Sequence, residues 1–141
     1  MAAYRYKISL RTRHPSRSSQ DVTAALGIVP RYSWNIGDQR KAPNGSPIGR
    51  PTKENYWSAR LAEGAFPGRD LPTAIAELLD RLAPHQSYLA DFVADGGKAE
   101  LFVGWYFPKG NSGDLLGFEL LGRLAALRLD LSWDIYTDPE S

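Results

Sequence analysis

The chain has no cysteine, one methionine and only two histidines in 141 residues. Without cysteine there is no disulfide, no thiolate nucleophile and no cysteine-ligated zinc. With His14 and His85 alone, a metal site built from several histidines of one chain is excluded, while carboxylate-bound magnesium or calcium stays open. No apolar run approaches the ~20 residues a membrane-spanning helix needs. The N-terminal residues Tyr4, Arg5, Tyr6 and Lys7 alternate apolar and charged, so a signal peptide's continuous apolar core is missing too. A cytoplasmic protein with no membrane partner is expected, and the lack of cysteine fits a reducing compartment.

What is present is enough for a packed core. Hydrophobic residues make up 43%, including four Trp, seven Tyr and five Phe. This length fits one domain, residues 1–141, with a flexible tail over 137–141. The net charge of +1 hides an asymmetry. Residues 1–53 carry ten Lys or Arg against two acids, a net +8, and the remainder carries −7. Such imbalance either marks an anionic partner or is neutralised within one fold whose strands interleave.

Four segments have the two-residue period of half-buried strands. Tyr4, Tyr6, Ile8 and Leu10 alternate with Arg5, Lys7, Ser9 and Arg11. Trp57, Ala59 and Leu61 form the second set, and Ala99 to Phe107 the third and strongest. Leu129, Leu131, Trp133 and Ile135 alternate with Asp130, Ser132, Asp134 and Tyr136 in the last. Between them lie helical signals. Ser18 caps a helix from about Ser19 to Leu26, stopped by Gly27. Asp70 and Pro72 start another, with an apolar stripe of Leu71, Ile75, Leu78, Leu79 and Leu82. A further helix follows Pro84, and the last spans about Leu116 to Leu127.

This order predicts an α+β fold, a ferredoxin-like two-layer sandwich: a four-stranded antiparallel sheet with helices on one face and a long loop preceding the second strand. The alternative is another α+β strand order, with an added strand near Tyr32 to Ile36. One sheet face would collect Tyr6, Ile8, Trp57, Leu101, Val103, Trp105, Leu131 and Trp133 against the helices. The opposite face would present Lys7, Arg11, Tyr56, Arg60, Phe102, Tyr106, Asp134 and Tyr136.

The basic loop over residues 31–55 is too long to be a routine connection in a compact domain. It holds Trp34, Asp38, Arg40, Arg50 and Lys53, residue types suited to a carboxylate, a phosphate or a partner surface. The bland alternative is a solvated loop with Asp38 capping a turn. The open face adds Arg11, Arg60, Tyr106 and Tyr136. Basic and aromatic groups on an open sheet resemble an RNA-stacking surface, yet Leu101 to Tyr106 lacks the glycine-aromatic run of such modules, and Glu100 and Asp134 add negative charge. The glycines at 110 and 113 lack phosphate-loop spacing. Glu100 with Asp134 is the one carboxylate pair to weigh for acid–base work. His14 reads as an exposed turn residue beside Pro15. No catalytic residue, metal site or cofactor is expected.

The ordered combination also resembles a known family. It runs through Ile8-Ser9-Leu10-Arg11, Leu26-Gly27-Ile28-Val29-Pro30, Trp34, Gly37-Asp38, Gly49-Arg50 and Trp57-Ser58. It closes with Leu121 to Leu127 and Leu131 to Tyr136. Nearly the whole chain resembles the bacterial domain-of-unknown-function family 4279. The resemblance implies a small, mostly stand-alone domain with no established biochemical activity and no catalytic residues to carry over, and it is compatible with an immunity-like or regulatory role. One departure is Arg128, where glycine is expected between the last helix and strand. The function expected is a non-catalytic protein-binding module. Binding of nucleic acid or a small anionic ligand through the basic loop and open face is the alternative, and a homodimer is the further partner reading.

Overall fold

The first strand runs down the middle of the molecule. A computed structural model describes residues 3–39, 41–42, 44–47, 49, 52–108, 110 and 112–137. Among them the chain forms five strands and four α-helices. In order these are β1 (Tyr4–His14), α1 (Ser19–Leu26), β2 (Tyr32–Trp34), β3 (Asn55–Phe66) and α2 (Leu71–Leu82). A single 3-10 turn (Ala83–His85) follows, then α3 (Gln86–Ala94), β4 (Lys98–Phe107), α4 (Phe118–Ala126) and β5 (Leu129–Thr137). The sheet order is β2-β3-β1-β4-β5.

The four-stranded, all-antiparallel ferredoxin-like sheet is therefore corrected to a five-stranded mixed sheet of the α+β class. β1 pairs antiparallel with both β3 and β4, and β2 pairs antiparallel with β3. β5 pairs parallel with β4. The reason is connectivity: β4 and β5 are joined by α4, and a crossover through a helix returns the chain in the same direction. Tyr32 to Trp34 supplies the added strand at the other edge. Thr137, expected in the tail, ends β5, while residues 138–141 lie outside the described residues.

The alternation in each strand builds the two faces as the sequence predicts. Tyr4, Tyr6, Ile8 and Leu10 are buried on one side of β1 and continue into Thr12 and His14. They meet Trp57 and Ala59 of β3 and Leu101 and Val103 of β4 across the ladders. Each large apolar side chain so buried contributes roughly 1.5–3 kcal/mol. A bulge between Ile8 and Ser9 lets the extra residue Leu61 into β3. It keeps the alternation in phase on both sides, since a one-residue slip would otherwise reverse every later side chain. Gly64 sits opposite Tyr6, where an added Cβ would clash with the Tyr6 hydroxyl.

All four helices pack on that buried face. Ser18 accepts from the Asp21 amide to start α1, and Gly27, at φ 67°, ends it. Trp57 Nε1 donates to Thr23 Oγ1 of α1 at 2.9 Å. Asp70 accepts from Thr73 N–H at 2.8 Å and caps α2, whose buried stripe is the predicted one. The Tyr4 hydroxyl accepts the Leu71 N–H at 2.8 Å and donates to Asp114, so one β1 side chain ties α2 to the segment before α4. Phe92 of α3 lies 4.7 Å from His14, ring centre to ring centre. Leu124 and Leu127 close the core over β5. Arg128, at φ 59°, occupies the left-handed conformation that glycine would adopt freely. No helix among the described residues is long and apolar enough to cross a membrane.

Candidate functional site

The opposite sheet face has no helix over it among the described residues, and its side chains form a lattice of cations and rings. Register places Arg5, Lys7, Arg11 and Arg13 of β1 between Tyr56 and Arg60 of β3 and Phe102 and Tyr106 of β4. The Arg11 guanidinium lies 4.2 Å from the centre of the Phe102 ring, and its Nε donates to the Tyr56 hydroxyl at 3.2 Å. Arg5 and Lys7 approach the Tyr106 ring at 5.4 and 5.8 Å, and Arg13 the Tyr56 ring at 5.5 Å. Tyr106 stacks on Tyr136 of β5 at 4.9 Å, and Trp34 of β2 on Tyr56 at 4.5 Å. The rings thus span the sheet from one edge strand to the other. Gly104 leaves the space beside the Tyr106 ring, whose hydroxyl lies 3.4 Å from where a Cβ would stand.

Charge on this face is graded. The β1–β3 side is basic, while Glu100, Asp130 and Asp134 occupy the β4–β5 side. Arg11 and Glu100 meet at 3.6 Å across the boundary. The Tyr136 hydroxyl donates to Asp134 at 3.0 Å, and this contact with a carboxylate raises its pKa above the ordinary tyrosine value. Glu100 pairs with Asp130, and Asp134 sits opposite Gly104 four residues further along β4. At about 3.3 Å per residue that separates the two predicted carboxylates by ~13 Å. They do not form the acid–base pair weighed from the sequence.

The long loop is stitched together at its base. Gly37 N–H donates to Thr52 O at 2.8 Å and Thr52 N–H to Asp38 O at 3.0 Å. The Asp38 carboxylate accepts from Asn35 N–H at 2.7 Å, so its role here is to hold a turn. Asn35 Oδ1 accepts from Ser19 N–H at 2.8 Å, anchoring the loop to the start of α1. Asn55 accepts from Ile36 N–H at 2.6 Å and donates to Arg17 O at 2.7 Å. Further out, Lys41 and Pro47 form an isolated bridge.

Of the predicted site residues, the structure gathers Trp34, Arg11, Arg60, Tyr106 and Tyr136 on the open face. Asp38 and Lys53 stand apart in the loop and are exposed. Arg40 and Arg50 lie outside the described residues. Arg5 and Arg13 were missing from the predicted set, although the same alternation that selected Lys7 and Arg11 includes both.

His14 corrects a second expectation, for it is buried and is no exposed turn residue. Its Nδ1 accepts from the Ser16 and Arg17 amides at 2.9 and 2.8 Å, and this network assigns the proton to Nε2, which faces Asp95. Arg17 adds two bonds to the other Asp95 oxygen, at 2.9 and 2.8 Å. The hydrogen bond from His14, with those from Arg17, holds the Asp95 carboxyl below the ordinary carboxylate value. Both ring nitrogens are occupied, so His14 locks the end of β1 to α1 and α3 and offers no free base.

The family model described as Domain of unknown function (DUF4279) matches residues 4–138. The chain belongs to that family. Comparison with curated proteins and comparison with solved structures give no match.

Proposed function

We propose that this DUF4279 domain is a non-catalytic binding module that docks a partner protein on its open sheet face. The observation that carries the reading is the continuous set Trp34, Tyr56, Arg11, Phe102, Tyr106 and Tyr136 on a face with no helix over it among the described residues. Trp, Tyr and Arg dominate the energetically important centres of protein interfaces. Here the guanidinium and the rings already hold one another, so less side-chain freedom is lost on docking. The gradient from basic β1 to acidic β5 favours a partner of reciprocal polarity, and such complementarity orients encounter.

The test is capture from the source cell, with the retained species identified, purified and titrated against the chain. Binding that falls at least tenfold in Arg11→Ser/Tyr106→Ser supports the reading. A partner bound equally well by that variant removes it.

The cation–ring lattice also favours a second reading, single-stranded nucleic acid stacked across the face. It requires binding to oligonucleotides that weakens steeply with added salt. Glu100, Asp130 and Asp134 stand against it, because they set negative charge along a phosphate path. Absent or salt-insensitive binding to oligonucleotides eliminates it.

A further inference from the structure

We infer that a second copy of this chain docks on the β5 edge, joining two sheets into one ten-stranded sheet with the two α4 helices side by side. This inference is independent of what occupies the open face.

β5 is the last strand in the sheet, and among the described residues its outer edge is unpaired. Over Leu129 to Thr137 it has no lysine, no proline and no bulge, the usual devices that blunt an edge. Beside that edge lies an apolar flank. α4 turns Leu120, Leu124 and Leu127 inward and sets Arg123 toward Asp80 of α2. At 100° per residue, Leu121, Ala125 and Phe118 then fall on the side away from α2. Since α2 packs over β3 and α4 over β5, that side is the β5 edge. Phe118 is 83% exposed, Leu115 76%, Ile135 57% and Leu121 46%. Strand edge and helix flank therefore present backbone bonds and apolar surface together.

Ala125 adds a small side chain to the same flank as Leu121 and Phe118, which lets a second helix approach closely.

The identity of the occupant follows from the charge pattern of β5. Trp133 is the central residue of the strand, so full antiparallel overlap of two copies is centred on it. In that register Asp130 faces Tyr136 of the partner subunit, and Ser132 faces Asp134 of the partner subunit. Centring on Ser132 sets Asp130 against Asp134, and centring on Asp134 sets that residue against itself. Directly opposed like charges are destabilising. The register of greatest overlap is thus the one in which no two acids oppose each other. The two-fold axis is perpendicular to the sheet, so both open faces lie on the same side.

Sedimentation equilibrium tests this directly. The chain is expected to sediment at twice its mass of 15.6 kDa, with Phe118→Lys/Leu121→Lys raising the dissociation constant at least tenfold. Circular dichroism checks that the variant stays folded. If the double variant fails to fold, Ala125→Lys takes its place and is expected to weaken the dimer in the same way. A monomer at all concentrations overturns the inference, and so does a dimer indifferent to the folded variant.

Discussion

The two faces of the sheet are made by the same strands and behave as different materials. On the helix side, Tyr4, Ile8, Leu10, Trp57, Leu101 and Val103 are buried, and the Tyr4 hydroxyl and Trp57 indole N–H have fixed partners. On the open side, the intervening residues Arg5, Lys7, Arg11, Tyr56, Phe102 and Tyr106 hold one another through cation–ring contacts and remain within reach of solvent. The difference teaches where stability and recognition reside. Burial and packing of the first face supply folding free energy, while the second is organised without being required for the core. Substitutions should therefore separate the faces cleanly.

The largest effect is expected at Trp57, whose side chain is wholly buried. Trp57→Ala should lower the unfolding free energy by about 3–5 kcal/mol in urea titration, through the cavity and the unpaired Thr23 hydroxyl. A loss as small as a surface substitution would erase the contrast between the faces. Tyr4→Phe keeps the ring but leaves the Leu71 amide without its acceptor and Asp114 without its donor. It should cost about 1–3 kcal/mol, with α2 amides exchanging faster than those of α3.

Between these strands and their helices, Arg128 offers a change of opposite sign. Arg128→Gly relieves the left-handed backbone and should raise stability by about 0.5–1 kcal/mol. The Asp95 lock gives a dependence on pH. Its carboxyl is depressed when folded, so its contribution is complete above the ordinary carboxylate value near 4 and is lost as pH falls through the lower, folded value. Asp95→Asn should flatten that part of the acid-stability curve. The smallest change in stability is expected on the open face. Arg11→Ser removes a cation–ring contact, the hydrogen bond to Tyr56 and the ion pair with Glu100, all near the surface, and should cost no more than about 1 kcal/mol.

Much of this contrast was legible before any coordinates. Period-two alternation in β1, β4 and β5 assigned the residues of both faces correctly, and caps at Ser18, Gly27 and Asp70 marked helix ends, because both signals are local. Pairing was not legible in the same way. The two-residue period says which face a residue takes and nothing about which strand lies beside it. The parallel β4–β5 pair was hidden for that reason, although the intervening helix was its available clue. Tyr32 to Trp34 is only three residues long, too short for periodicity to stand out within a polar loop. His14 looked like part of a turn because its partners, Asp95 and the Ser16 and Arg17 amides, are assembled only by the fold. Its place in the alternation after Leu10 and Thr12 was the signal that pointed inward. Arg128 was visible as the departure from an expected glycine, and its positive φ explains that expectation.

The account turns on the open face being a place of recognition and not a second core. The most direct measurement pairs two readings on Arg11→Ser/Tyr106→Ser: its unfolding free energy in urea and its affinity for the purified, captured partner. The account predicts stability within about 2 kcal/mol of the parent chain and affinity reduced at least tenfold. Collapse of the fold, or unchanged affinity in a folded variant, would contradict it.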